Sequence, residues 1–175
     1  MVSDMSYSTV SNVIDTWEKI RRIKDFEMVV GTKLFQKYDP ILRIYIFFAL
    51  EPEAQRIFGF PDDMDPTSDA VLTNKRFIKH ARYFVQMIDR AISLLGPEVE
   101  MLTEILLELG EKHTSYGVKP EFFPSMGRAL MEAISCNLGD GEFAEVKTDW
   151  IEVYGALSYD MIRGSSLAVQ AEKAV

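Results

Sequence analysis

Residues 74–113 read NKRFIKHARYFVQMIDRAISLLGPEVEMLTEILLELGEKH, and two helical stripes run through them. From Asn74 to Leu95 the apolar residues Phe77, Ala81, Phe84, Ile88, Ala91 and Leu95 recur every three or four positions, the spacing of an amphipathic helix with one buried face. From Glu98 to His113 the interval returns in Leu102, Ile105, Leu106, Leu109 and His113, before Gly117 and Pro120 stop the chain and restart it. His80 falls on the first stripe and His113 on the second.

Outward from this pair the reading stays helical. Pro120 suits the first turn of a helix whose buried face is Phe123, Met126, Leu130, Ala133 and Ile134 and whose end is Leu138-Gly139. Thr148 is an N-cap candidate for a last helix carrying Trp150, Tyr154, Leu157 and Met161, closed by Arg163-Gly164. Toward the N-terminus, Ser11 to Arg22 places Val13, Trp17 and Ile20 at helical spacing, and Asp25 to Lys37 can follow as helix. Asp39-Pro40 reads as N-cap and first turn for Ile41 to Leu50, Pro52 permits a further short turn, and Gly59 to Thr73 is one long acidic loop. The β-branched and aromatic run Ile41 to Leu50 would suit a strand, but no segment offers it a partner. The expectation is an all-α single domain over 1–175, with its core at about 11–163 and a flexible tail at 164–175.

Composition narrows the function. The 175 residues are 47% hydrophobic and include 11 Phe, 7 Tyr, 2 Trp and 9 Met, enough to build one core around a ligand. A net charge of −8 with no purely basic run argues against nucleic acid as partner. No secretion signal opens the sequence and no apolar run is long enough for a bilayer, so no membrane role and a cytoplasmic location are expected. Cys136 is the only cysteine, which excludes an internal disulfide and a cysteine-built metal site; it reads as a small buried apolar residue. Neither a Gly-rich phosphate loop nor a G-x-S-x-G elbow occurs.

The two histidines are the only ones in the chain and lie 33 residues apart. Spacing alone suits two ordinary core or boundary histidines as well as a pair of ligands. Zinc asks for three or four protein ligands. Haem asks for one, because the porphyrin brings four nitrogens of its own and the protein adds an axial imidazole and an apolar slot.

The segment Leu109-Gly110-Glu111-Lys112-His113-Thr114-Ser115-Tyr116-Gly117-Val118, followed by Phe122-Phe123, resembles the proximal-histidine region of the globin family, its neuroglobin-like members above all. Phe48-Ala49-Leu50-Glu51-Pro52 with Phe58 looks like the passage into the loop whose phenylalanine packs on the haem, and Phe77-x-x-His80 falls where a distal histidine is expected. The likeness runs on through Leu138-Gly139, Trp150 and Tyr154-Gly155, covering about residues 45 to 163. It implies a globin fold, a three-over-three helical sandwich around haem, with His113 as proximal iron ligand and His80 as the distal residue and possible sixth ligand. It also implies that Phe58 is a haem-packing wall, that Leu109, Val118 and Phe123 contact the porphyrin on the proximal side, and that Phe84 lines the distal side. Arg82, Tyr83, Lys112 and Tyr116 are candidates for the haem propionates, with solvated surface an equal reading for each. Two features depart from the pattern: the interval from Trp17 to Phe58 is long, leaving Phe35, Ile44 and Tyr45 all open as the further distal residue, and Phe84 is bulkier than the small aliphatic residue usual there.

By this resemblance the first expectation is reversible binding of O2, or of NO or CO, at ferrous haem, with His80 able to donate a hydrogen bond to O2. The second is a haem enzyme, such as a nitric oxide dioxygenase, peroxidase or nitrite reductase. Such an enzyme needs a separate reductase, because the chain has no room for a flavin or nicotinamide domain. A gas or redox sensor is the third. Family likeness supplies the cofactor and does not choose among these.

Overall fold

The computed structural model describes residues 2–22 and 45–173, and every regular element among them is helical. A 3-10 turn at Val2–Asp4 precedes α1 (Tyr7–Arg21), and α2 (Tyr45–Leu50) runs into a 3-10 segment at Pro52–Phe58. Then follow the short α3 (Asp69–Leu72), α4 (Lys75–Leu94), α5 (Val99–Ser115), α6 (Phe122–Leu138) and α7 (Asp140–Lys173). The segment Asp25 to Lys37 and the expected start at Asp39-Pro40 lie outside the described residues.

Local chemistry explains two of these boundaries. The Asn74 side chain accepts the Arg76 and Phe77 backbone N–H groups at 2.9 and 3.0 Å, so α4 begins where its apolar stripe begins. Gly117 takes φ +81°, the left-handed backbone that ends α5 and turns the chain toward α6.

The sequence-based expectations fail at four places. The helix expected to start at Thr148 starts at Asp140, because Asp140 and Glu142 already supply the acidic first turn. Nor does it close at Arg163-Gly164: α7 continues to Lys173, 34 residues in all or about 50 Å. Residues 164–173, expected as a flexible tail, are helical, and at Gly164 and Ser165, buried against α5, tertiary packing outweighs the weak helix propensity of glycine. Cys136, expected to be buried, is exposed on α6. The loop from Gly59 to Thr73 contains the turn of helix α3.

Two apolar clusters divide the interior. The larger joins Val13, Trp17 and Ile20 of α1 to Ile88 and Ile92 of α4, Leu102 and Leu106 of α5, Leu130 and Ile134 of α6, and Trp150, Val153 and Leu157 of α7. Trp150 donates its indole N–H to Thr16 Oγ1 at 3.0 Å, so this large ring is buried without an orphaned donor. The smaller cluster is aromatic, gathering Phe47 and Phe48 of α2, Phe60, Phe77 of α4 and Phe122 of α6. Phe84 packs against both, which places the middle of α4 at the seam between them. One buried acid breaks the apolar pattern: Asp160 of α7 is fully buried and ion-paired with Arg163 at 3.1 Å.

Candidate functional site

His80 on α4 and His113 in the last turn of α5 face each other across this seam, ring centroids 6.5 Å apart and planes inclined at 61°. His113 Nδ1 lies 2.8 Å from the Leu109 carbonyl oxygen. A carbonyl can only accept, so Nδ1 carries the proton and donates, and the lone pair is left on Nε2. A ring nitrogen tied to a backbone carbonyl in this way fixes both the tautomer and the tilt of a ligating imidazole.

Burial lowers the His113 pKa below that of a free imidazole, with the Leu109 hydrogen bond opposing the shift. Burial pushes His80 down to about 4, and the charges of His113 and Arg76 add to the effect. Both rings are therefore neutral near pH 7, the form in which imidazole binds a metal. Among the described residues neither ring nitrogen of His80 makes a hydrogen bond. Such a ring keeps a nitrogen open to a ligand.

Aromatic and aliphatic side chains enclose the pair. Phe58 meets the His80 ring at 5.2 Å and is itself held by Phe48 at 5.3 Å and Phe77 at 5.7 Å. Phe123 lies 6.2 Å from the His113 ring, and Tyr116 lies 6.4 Å from it. Val118 packs on the aromatic cluster, and its backbone N–H donates to the His113 carbonyl at 3.1 Å. Leu109, half-buried, contributes the carbonyl that orients His113.

The candidates for the rim are more scattered. Tyr116 is exposed beside His113, and Arg82 is half-buried on α4. Tyr83 is exposed with the Lys79 ammonium 5.6 Å above its ring, and Lys112 is paired with Glu108 at 2.6 Å. Tyr45 opens α2, while Phe35 and Ile44 lie outside the described residues.

Two contributors were not among the sequence-based site candidates. Tyr154 of α7 donates its hydroxyl to the Phe123 carbonyl at 2.9 Å and lies on Gly127, where an added Cβ would come within 2.5 Å of Tyr154 Cε1. Arg76, one helical turn before His80, adds positive charge near its ring. That i, i+4 spacing was the available signal for Arg76. Nothing in the sequence announced the contact between Tyr154 and Phe123, which are 31 positions apart.

No group of three or more His, Cys, Asp or Glu side chains able to hold a bare metal ion occurs among the described residues. Two opposed imidazoles in an apolar slot suit a flat group that carries its own in-plane donors and takes its remaining ligands from above and below. No helix among the described residues is long and apolar enough to cross a membrane.

The chain is similar to proteins already known. The family model described as Globin matches residues 44–161. The chain is 32% identical over 117 residues to Neuroglobin from Tetraodon nigroviridis, covering 67% of this chain and 72% of that one. Neuroglobin-2 from Oncorhynchus mykiss matches to the same extent, also at 32%. Neuroglobin from Danio rerio is 25% identical over 151 residues, 86% of each chain.

Proposed function

Because the chain belongs to the globin family, we propose that it holds haem between His113 and His80 and binds a small diatomic gas there, with both histidines ligating the iron when no gas is present. The observation that carries this reading is the 6.5 Å separation of the two rings. Two metal–imidazole bonds of roughly 2 Å, each extended by the roughly 1 Å from a ring nitrogen to its ring centre, give about 6 Å between centres. The observed centroid separation is close to that value and supports the reading.

Haem, when bound, supplies an iron centre at which diatomic gases bind and one-electron redox change takes place. The chain's own residues prepare the place. His113 presents Nε2 because Leu109 occupies Nδ1. His80, neutral and without a hydrogen-bond partner among the described residues, offers a nitrogen from the opposite wall. The same ring, when not ligating, would be able to donate a hydrogen bond to a gas held in the site. Phe58, Phe84, Leu109, Val118 and Phe123 form apolar walls that exclude water and slow oxidation of the iron. Arg82, Tyr83 and Tyr116, nearer the surface, are suited to meet the propionates.

The test is the absorption spectrum of the deoxygenated ferrous protein compared with that of His80→Leu. A six-coordinate spectrum that becomes five-coordinate on substitution is expected. A wild type already five-coordinate, and unchanged by the substitution, would reduce His80 to a donor and overturn double ligation.

A further inference from the structure

Helix α5, which carries His113, and α7 make the most extensive helix–helix contact among the described elements, and they meet backbone to backbone. A Cβ on Gly110 would lie 1.9 Å from the Met161 carbonyl oxygen, and a Cβ on Gly164 would lie 2.1 Å from that of Leu107. Each glycine therefore admits the main chain of the other helix, and no side chain can slip between them.

At the same crossing the buried Ser165 hydroxyl donates to the Gly110 carbonyl at 2.8 Å. A serine inside a helix commonly turns its hydroxyl back on the carbonyl four residues earlier in its own helix. Ser166 does so, donating to Ile162 at 2.9 Å. Ser165 reaches across to α5 instead. The carbonyl it chooses is next to that of Leu109, the acceptor for His113 Nδ1, and also takes the Thr114 hydroxyl at 3.2 Å. Successive carbonyls in the last turns of α5 are thus held by the His113 ring and by a side chain of α7.

We propose that Ser165 is a positioning residue for His113: by fixing the Gly110 peptide across the glycine crossing, it sets how far the His113 ring stands out toward His80. The proposal rests on the reading of His113 as an axial ligand. The action runs through the backbone. Freed from Ser165, the last turns of α5 keep their helical bonds and their packing on α7 but lose this hydrogen bond to it. The ring tilt fixed through Leu109 then follows a looser peptide. The stretch of α7 beyond Gly164 is on this view part of the ligand-holding apparatus.

The experiment uses the haem-loaded full chain in a His80→Leu background, where the ferrous iron has His113 as its one protein ligand, and reads the iron–histidine stretching band by resonance Raman. Ser165→Ala is expected to shift or broaden that band and to speed haem loss to an acceptor apoprotein about fivefold, the effect of one net hydrogen bond. Ser165→Thr, which keeps the hydroxyl, is expected to restore both. Thr16→Ala serves as the control, because it removes a buried hydroxyl of α1 that meets α7 at Trp150, about four helical turns from Ser165, and should lower the melting temperature without moving the band. Ser165→Ala destabilising the fold like the control, with band and haem-loss rate unchanged, would overturn the positioning role. A parent protein with no iron–histidine band at all would overturn the axial-ligand reading itself, and the two failures are distinct.

Discussion

The phenol of Tyr154 on α7 donates to the backbone carbonyl of Phe123 in the first turn of α6 at 2.9 Å. Burial pushes the Tyr154 pKa up, so the hydroxyl stays protonated as the donor. Phe123 is one of the rings against His113, so α7 steadies the wall of the site as well as the helix beneath it.

Tyr154→Phe keeps the ring packed on Gly127 and removes only this bond. The expected loss is about 1 kcal/mol, a fall of about 2–4 °C in melting temperature for a chain of this size. Thermal melts of the haem-loaded variant check it. An unchanged midpoint would mean that water or a shifted partner replaces the phenol at no cost.

His113→Ala, expressed with ample haem, is expected to lose most of its bound cofactor. The other histidine belongs to the opposite wall and approaches from α4, so it cannot take over the bond to Leu109 that orients His113. The ratio of haem to protein after purification, read with the visible spectrum, decides the matter. Full retention with wild-type bands would remove His113 from the site.

Haem-free protein is expected to melt below the haem-loaded form and to show less helix. On the proposed haem site, Phe58, Phe84, Val118 and both imidazoles would lose the contacts a flat ligand gives them. Ligand that binds only the folded state also raises the midpoint by mass action. Circular dichroism melts of the two forms test this, and coincident curves would show that the helices pack to completion without haem.

Much of this was legible because local and tertiary preferences agree. The Asn74 cap, the α4 stripe and the turn at Gly117 each follow from residues within one or two helical turns. The sequence reading failed where a contact distant in sequence reverses a local preference. Gly164 looks like a helix end and is instead a contact point, because the backbone of Leu107 fills the space a side chain would occupy. Thr148 looks like a cap but has no cap to make once α7 begins at Asp140. The histidine pair was visible as two residues on two stripes, yet periodicity could not say that the stripes face each other. The family resemblance implied that link, and in the structure the two ring centroids lie 6.5 Å apart.

Acid sensitivity of the haem-free protein follows from His80. Its folded pKa is lowered from 6.5 to about 4, first by burial and then by the charges of His113 and Arg76. Between those values the unfolded chain binds a proton at this residue and the folded chain does not. Stability therefore rises with pH across the window and is lost as pH falls from 6.5 toward 4. The ceiling from this one group is about 3 kcal/mol. His113 shifts in the same direction and adds to the slope. Surface carboxylates titrate in part of the same range, so the comparison that isolates His80 is wild type against His80→Leu. Urea midpoints at pH 7 and pH 4.5 are expected to fall further for wild type than for the variant, because leucine cannot demand a proton in the unfolded state. Equal falls in the two proteins would mean that His80 is hydrated in the haem-free fold and titrates there as a free imidazole does.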